Sequence, residues 1–404
     1  MSQWAPRVRV LYLQPSANFG GAERQAATSI PFLGEWGIDV VPLVGPGQTV
    51  VDWLEERGVT GFIHSCNFPA DWPAASRWAR VRHAARYVGC LRRLGAQVEE
   101  IARRHAVDLI FAAMPFSWVA ATRVARKLDL PVVWRAGGTE VVAGGALGLG
   151  AWAPFRRPDL LICCGDAVRR RFEPLVGAPT EVVRNGVDLT QFHPRAAERT
   201  LLRPAAAELV VGLAARLAAQ KRPQDFLAMA ARVRASHPKV AFLLAGEGSR
   251  LPYYQDMARA LGAGEAVRFL GFVADMRAFY AACDVIVLPS RSEGRPNVVL
   301  EAMAMRRALA VSDAPGTREI VTHGREALVF PVGDVDAFTS AVRTLIERPA
   351  LRAELAANAL SRVVREFGAR ASAGRLARLL RAVAFAALPI ARRPALMQVP
   401  GLPT

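Results

Sequence analysis

Cysteine is scarce in this sequence of 404 residues, and no two cysteines are spaced as a Cys-x-x-Cys pair. The five cysteines are odd in number, and Cys163 and Cys164 are adjacent in an apolar segment typical of a buried strand. A disulfide framework needs paired cysteines, and a structural zinc site needs regularly spaced ligands. The sequence therefore supports neither.

Long apolar segments are missing as well. No run reaches the ~18 apolar residues that a membrane-spanning helix needs. Residues 1–9 lack the apolar core of a secretory signal peptide, so we expect a cytoplasmic protein. With 52% hydrophobic and 22% charged residues, the chain has a globular composition. Its length is sufficient for two domains, each with its own core.

Acidic residues are outnumbered, because 52 Lys and Arg against 35 Asp and Glu give a net charge of +17. Such a charge fits nucleic acid, an anionic membrane surface, or a genome rich in arginine codons. The sequence contains no helix-turn-helix or RNA-binding motif, so we expect no nucleic-acid partner. The helical stretch 74–105 carries Arg77, Trp78, Arg86 and Tyr87, and a basic helix with aromatics can lie on the inner face of a membrane. A solvated helix face is the commoner alternative.

Apolar runs of strand length alternate with helical patterns along most of the chain. Alternation of this kind predicts parallel, doubly wound α/β sheets. The predicted strands are Val8–Leu13, Asp39–Val44, Thr60–His64, Val107–Ala112, Pro131–Trp134, Asp159–Cys164, Leu209–Ala214, Val240–Ala245, Val267–Leu270, 284–289, Leu309–Ser312 and 327–330.

The alternation breaks at Asn185-Gly186, a dipeptide typical of turns, and restarts at Leu209. We therefore predict a Rossmann-like domain over residues 1–185 and a second over 186–350. Helical patterns over 351–385 are predicted to pack back on the first domain. Residues 386–404, with four prolines, are predicted to form a loose tail.

The most informative stretch runs from Ser290 to Ala304. A strand, a tight loop containing Glu293 and a helix opening near Asn297 together form an anion site, because the first amides of a helix lack internal partners. Glu301 lies a little over one turn into the helix, too far along to cap it. A carboxylate there suits the hydroxyls of a ribose. The alternative is that Glu293 and Glu301 are ordinary solvated carboxylates.

Two cations follow the strand Leu209–Ala214. Arg216 and Lys221 lie at its carboxyl end, where open α/β sheets bind ligands. Together they could hold a diphosphate without a metal, although surface charge is the alternative in so basic a protein. The single Asp-x-Asp, Asp334-Val335-Asp336, starts a helix that Asp334 is predicted to cap, so no metal site is expected.

Glu293 and Glu301, with seven residues between them and with Gly294 and Pro296 in place, resemble the signature of a large enzyme family. It comprises the retaining, nucleotide-sugar-dependent glycosyltransferases of the GT-B fold, of the family 4-like, "group 1" type. The resemblance covers residues 8 to about 345 and implies two doubly wound Rossmann-like domains that face each other across a cleft. It implies transfer of a hexosyl unit from a UDP- or GDP-linked sugar to a saccharide or lipid-linked acceptor, without metal or cofactor. Cell-surface polysaccharide or glycolipid synthesis is the expected pathway.

The resemblance also assigns roles to individual residues. The catalytic residues are expected to be Arg216, Lys221 and Glu293. Those expected to bind the donor are Gly20, Gly21, Arg216, Lys221, Gly246, Glu247, Pro296, Asn297, Val298 and Glu301. Glu23, which follows the two glycines, is an acceptor-side candidate or, alternatively, a helix-start carboxylate. Arg135 is the other acceptor-side candidate.

Two departures from the family pattern keep other hypotheses open. Many members carry a histidine after the strand that ends at Trp134, whereas this chain has Arg135 and no histidine there. The family's Gly-Gly-x-x-Glu segment appears as Pro315-Gly316-Thr317-Arg318-Glu319, with one glycine. A catalytically reduced relative that acts as a binding or scaffold protein is one alternative. A sugar-nucleotide epimerase is the other.

Overall fold

The computed structural model describes residues 6–15, 20–45, 48–56, 58–59, 63–64, 77–138, 157–195, 197–198 and 202–387. The chain divides into two compact units. One runs to Asn185 and resumes at Ala369, and the other comprises Gly186–Gly368. The predicted tail lies almost entirely outside the described residues.

Within the described residues, the first unit contains a seven-stranded parallel sheet in the order β3-β2-β1-β4-β5-β6-β7. Its strands are β1 (Val8–Gln14), β2 (Ile38–Val44), β3 (Ile63–His64), β4 (Leu109–Ala112), β5 (Val132–Ala136), β6 (Leu160–Cys163) and β7 (Thr180–Val182). Its helices are α1 (Gly21–Leu33), α2 (Gln48–Glu55), α3 (Arg77–Arg104), α4 (Trp118–Leu128), α5 (Asp166–Val176) and, at the far end of the chain, α13 (Ala369–Ala386).

Two apolar clusters cover the two faces of this sheet. On one face, Tyr12 and Phe111 pack with residues of α1 and α13, among them Leu380. On the other, Leu13 and Trp134 pack with α3, α4 and α5. Because both faces are covered, the strands are almost continuously apolar, as parallel sheets require.

The described part of the second unit contains a six-stranded parallel sheet in the order β10-β9-β8-β11-β12-β13. Its strands are β8 (Leu209–Ala214), β9 (Val240–Ala245), β10 (Val267–Gly271), β11 (Val285–Leu288), β12 (Ala308–Ser312) and β13 (Leu328–Phe330). Its helices are α6 (Pro223–Ser236), α7 (Leu251–Ala260), α8 (Met276–Ala282), α9 (Asn297–Ala304), α10 (Pro315–Arg318), α11 (Val335–Glu347) and α12 (Pro349–Glu366). The neighbours β9, β8, β11 and β12 carry the loops that form the candidate site.

The prediction of doubly wound α/β sheets is confirmed, and every predicted strand overlaps an observed one. The structure adds β7, which the sequence analysis missed. Asp334 accepts a hydrogen bond from the Ala337 amide at 2.8 Å, as predicted for the cap of α11. Residues 60–62 of the third predicted strand lie outside the described residues.

The prediction for the C-terminal helices is wrong in its first half. Helix α12 packs against α9 and β12 and belongs to the second unit. Its apolar residues Leu355, Ala359 and Val363 join that unit's core. Only α13 packs on the first unit, chiefly along α1. A helical pattern shows which face of each helix is apolar but does not show which core receives it.

Helix length and hydropathy can also be compared with the needs of a bilayer. In the part of the chain that the structure describes, every helix is too short or too polar to cross a membrane.

Candidate active site

Lys221 and Glu293 meet at the carboxyl edge of the second sheet. Lys221 Nζ lies 2.6 Å from Glu293 Oε1, although the two residues come from the loops after β8 and β11. The side chains are 19% and 6% exposed, so the pair is largely buried but reaches the surface through the lysine. Sequestered from water, the carboxylate fixes the position of the ammonium group, which keeps further N–H donors for a ligand.

Two hydrogen bonds hold these two loops together. Gln220 Nε2 donates to the Ser292 carbonyl at 2.7 Å, and the Arg291 amide donates to the Gln220 carbonyl at 2.8 Å. Behind the loop, a Cβ at Gly316 would lie 2.3 Å from the Gly294 carbonyl oxygen. This position tolerates only glycine, because α10 approaches the loop at backbone contact distance.

Glu301 faces inward from α9 and is 8% exposed. The hydroxyl of Tyr280, in α8, donates a hydrogen bond to Glu301 Oε2 at 2.6 Å. A buried carboxylate held by a short hydrogen bond has a fixed orientation. Glu301 is therefore not the solvated helix glutamate of the alternative hypothesis.

Helix α9 begins at Asn297, as predicted, and its N-cap is Pro296. Its first amides and the positive end of its dipole lie at the same sheet edge as Lys221, since β8 and β11 are adjacent parallel strands. Asn297 and Val298 are partly exposed there. The structure thus combines a fixed cation with a helix N-terminus, an arrangement suited to an anionic ligand.

Arg216 is less constrained than its predicted partner. It is exposed, and its side chain makes neither an ion pair nor a hydrogen bond with another residue in the described ranges. The Ala218 amide donates to the Arg216 carbonyl at 2.8 Å, which shapes the loop backbone. The structure thus places Arg216 in the predicted loop without bringing it to Glu293.

Gly246 and Glu247 follow β9 at the same edge. Gly246 adopts φ +141°, and a Cβ there would lie 1.9 Å from the Ala215 carbonyl oxygen, so glycine is required. The Glu247 side chain is exposed and accepts a long hydrogen bond from the Phe272 amide at 3.3 Å. At this turn, the structure therefore strictly requires only that the backbone lie close to the loop that carries Arg216.

A second group of polar residues lies at the carboxyl edge of the first sheet. Gly20 precedes α1, and its amide donates to Glu23 Oε2 at 2.9 Å. Gln14 Nε2 donates to Glu23 Oε1 at 3.2 Å. Glu23 is buried, so it combines the helix-start role of the alternative hypothesis with a place at the sheet edge. Gly21, the first residue of α1, is exposed.

Arg135 lies near the end of β5 and is 6% exposed. Its Nη2 donates to Asn185 Oδ1 at 2.7 Å. Burial raises the pKa of the neighbouring Tyr12 hydroxyl, while the positive charge of Arg135 opposes that rise and the negative charge of Glu23 adds to it. Arg135 and Glu23 therefore both act on one buried tyrosine.

The second unit's site also contains Tyr280, Gln220 and Arg295, which no sequence pattern singled out. Arg295 is buried, its Nη1 lies 3.3 Å from Glu319 Oε2, and its guanidinium stacks on Phe367 at 4.9 Å. It follows Glu293-Gly294 directly, so this contact anchors the loop. The one signal in the sequence for this anchoring role was the presence of a charged residue between Gly294 and Pro296.

The described residues contain no group of three or more His, Cys, Asp or Glu side chains arranged to hold a metal.

Comparison with known proteins gives consistent family matches for the two halves of the chain. Residues 208–348 match the family model of glycosyl transferases group 1. Residues 19–191 match the model of glycosyltransferase family 4. The chain belongs to the group 1, family 4-like glycosyltransferases.

Curated members of this family resemble the chain over different lengths. Glycogen synthase of Mycobacterium tuberculosis is 33% identical over 52% of this chain and 51% of its own length. The mannosyltransferase LpcC of Rhizobium leguminosarum, which acts in lipopolysaccharide core biosynthesis, is 31% identical over 53% of this chain and 61% of its own. LpsE of Rhizobium meliloti, a lipopolysaccharide core glycosyltransferase, is 25% identical over 87% of this chain and 93% of its own length. The chain thus spans about half the length of the glycogen synthase that it matches.

Solved structures agree on the fold. HepE of Anabaena, solved in complex with UDP-glucose, superposes with a TM-score of 0.79 at 22% identity, covering 93% of this chain and all of HepE. Sucrose-phosphate synthase of Thermosynechococcus elongatus superposes with a TM-score of 0.76 at 19% identity, covering 95% and 100%. The predicted GT-B fold class, with two Rossmann-like domains, is confirmed.

Proposed function

We propose that this family member is a glycosyltransferase that moves a hexosyl unit from a UDP- or GDP-linked sugar to a saccharide or lipid-linked acceptor. The observation that carries the proposal is the contact between Lys221 and Glu293 beside the N-terminus of α9. Glu301, fixed by Tyr280, adds a carboxylate of the kind that holds ribose hydroxyls. The named relatives that act in lipopolysaccharide synthesis favour a cell-surface polysaccharide or glycolipid as the product.

In this proposal the donor diphosphate binds Lys221 and Arg216 and the amides of Asn297 and Val298. Gly246 and Glu247 form the neighbouring wall, because their backbone contacts the loop that carries Arg216. As the bond from the anomeric carbon to the leaving phosphate lengthens, negative charge grows on the diphosphate. Preorganised donors stabilise that developing charge, and they need no metal ion to do so. Glu293 orients Lys221 and faces the sugar, where transfer proceeds with retention.

In the first unit, Gly20 and Gly21 allow close approach of a ligand to the start of α1, and Glu23 and Arg135 are assigned to the acceptor. The buried Glu23 carboxylate, already fixed by the Gly20 amide, is suited to orienting hydroxyl groups.

Nucleotide binding tests the proposal directly. Calorimetric titration with UDP, GDP and ADP in the presence of EDTA should show binding of one of them without metal. The nucleotide that binds identifies the base of the nucleotide-sugar donor. If none binds with or without Mg²⁺, the scaffold hypothesis replaces the transferase one, and if binding requires Mg²⁺, the metal-independent mechanism is wrong.

Helix α3 supports a place on the inner face of a membrane. Arg82 and Arg86, one turn apart, are exposed and form no ion pair within the described ranges. Val88 nearby is 43% exposed. We expect the protein to pellet with vesicles that contain anionic lipid, and we expect salt to weaken this binding.

A matched control lies on the same helix. Arg103 and Arg104 pair with Glu99 and Glu100 at 3.2 and 2.7 Å, so each already has a carboxylate partner. Replacing Arg82 and Arg86 with glutamate should abolish pelleting, whereas the same change at Arg103 and Arg104 should reduce it less. Equal effects, or no pelleting of the wild type at low salt, would exclude this role for α3.

A further inference from the structure

Arg135 projects onto a defined face of the first sheet. It pairs in register with Ile162 of β6 and shares a face with Val133, two residues earlier. That face is apolar lower down, where Val133 and Ile162 pack under α1 and α13. Arg135 therefore places a guanidinium at the boundary between an apolar core and the carboxyl edge of the sheet.

Among the described residues, no carboxylate lies at ion-pair distance from the charge of this arginine. Its one side-chain hydrogen bond within the described residues goes to the neutral amide of Asn185, at 2.7 Å. Arginine stays protonated in proteins, so the charge cannot be relieved by loss of a proton. An unpaired buried charge is unfavourable, and buried charges are normally paired.

Other largely buried arginines in this chain follow that rule. Arg203 lies 2.8 Å from Asp284, Arg295 lies 3.3 Å from Glu319, and Arg362 lies 3.1 Å from Glu326. Each bridges two segments of the second unit, as expected for a structural arginine. Arg135 is as buried as these residues but has no carboxylate at ion-pair distance among the described residues.

The acidic groups near Arg135 do not balance its charge at short range. The Glu23 carboxylate accepts hydrogen bonds from Gly20 and Gln14. Burial raises the pKa of Cys163, on the neighbouring strand, to about 12, so that thiol stays neutral at physiological pH. The guanidinium therefore retains N–H donors suited to an anionic oxygen group.

We propose that Arg135 binds an anionic group, a phosphate or a carboxylate, on the acceptor of the transferase. That the ligand is the acceptor rests on the proposed function. The anion site itself does not. A guanidinium fork matches the paired oxygens of either group, and the ligand's charge then compensates a cation that no described carboxylate pairs. Phosphorylated saccharides and uronic acids are the two sources of such a group.

The test measures anion binding with the donor site occupied. Wild-type protein saturated with its preferred nucleotide is titrated with inorganic phosphate, with glucuronate and with neutral glucose. The variants are Arg135→Met, which keeps an unbranched apolar stem but not the charge, and Arg123→Met, a control at an exposed arginine of α4. Phosphate or glucuronate should bind the wild type and the control. Either anion should bind the Arg135→Met variant at least ~10-fold more weakly, because a charge-assisted hydrogen bond is lost.

The stronger of the two anions identifies the source of the acceptor's charge. Equal anion binding by wild type and Arg135→Met, or binding of neither anion to the wild type, would overturn the proposal. A variant that instead loses nucleotide affinity would also overturn it, because Arg135 would then serve the donor. If no nucleotide binds to any form, the proposed function fails, yet titration without nucleotide still decides the anion site.

Thermal unfolding gives a second readout that separates binding from structure. Removing a buried charge that no described carboxylate pairs should leave the melting temperature of Arg135→Met unchanged or higher. Saturating phosphate or glucuronate should raise the melting temperature of the wild type and of the Arg123→Met control, but not that of Arg135→Met. A large fall in the variant's melting temperature would instead assign Arg135 a structural role. Should the methionine variant not fold, Arg135→Gln is titrated in its place with the same criteria.

Discussion

Replacing Lys221 with alanine should lower the turnover number by at least ~100-fold, the usual effect of removing one preorganised donor from a developing negative charge. Lys221 Nζ is held 2.6 Å from Glu293, so the ammonium is in place before the donor arrives. Initial rates of sugar transfer from the nucleotide-sugar, measured at saturating donor, provide the test. Because Lys221→Ala also leaves the buried carboxylate of Glu293 unpaired, the melting temperature must be measured alongside.

Lys239 offers a matched control in the same unit. It pairs with Glu208 at 2.5 Å, but the two side chains are 69% and 65% exposed. Exposed ion pairs contribute little, so Lys239→Ala should leave turnover near the wild-type value. Lys221→Arg, which restores charge but not shape, should recover part of the lost rate. A folded Lys221→Ala enzyme with near-normal turnover would remove Lys221 from the active site.

Glu301→Ala should weaken nucleotide binding on the order of 100-fold, because two hydrogen bonds to a charged group are lost. The carboxylate is buried and oriented by the Tyr280 hydroxyl at 2.6 Å. Tyr280→Phe should have a smaller effect of the same sign, since the carboxylate remains but loses its fixed orientation. Calorimetric dissociation constants for the preferred nucleotide and for inorganic diphosphate check both predictions.

The diphosphate titration shows which part of the ligand is affected. If Glu301 holds the ribose, its loss should weaken the nucleotide much more than diphosphate. Tyr253, which is 50% exposed on α7, provides the control, and Tyr253→Phe should change neither constant. An unchanged nucleotide affinity in folded Glu301→Ala would place the ribose elsewhere.

Most of the fold follows from the alternation of apolar runs and helical patterns. Strand β8 has the predicted bounds, because a continuous apolar run closed by turn residues leaves little choice. Strand β7 escaped prediction since Thr180–Val182 is short and only partly buried, so its sequence carries no period. The packing of α12 was missed for another reason, because the choice between two apolar cores depends on tertiary contacts.

The candidate site was predicted in part. The loops that carry Lys221 and Glu293 were identified from their position after apolar strands, but a contact between residues 72 apart in the chain is not visible in local pattern. Tyr280 lies on a buried helix, where its aromatic ring is explained by packing alone. Its hydroxyl acquires a role only in the folded structure, where it reaches Glu301 of α9.

The first unit starts to emerge from the ribosome before the second, yet the second unit can be completed first. Domains generally fold as units, with the N-terminal one first during synthesis. Here, the core of the first unit includes Ala373, Leu376 and Leu380 of α13, the last helix described. The second unit, Gly186–Gly368, is an uninterrupted segment made before that helix. The α13 side of the core of the nascent N-terminal sheet therefore stays uncovered until α13 itself has been synthesised.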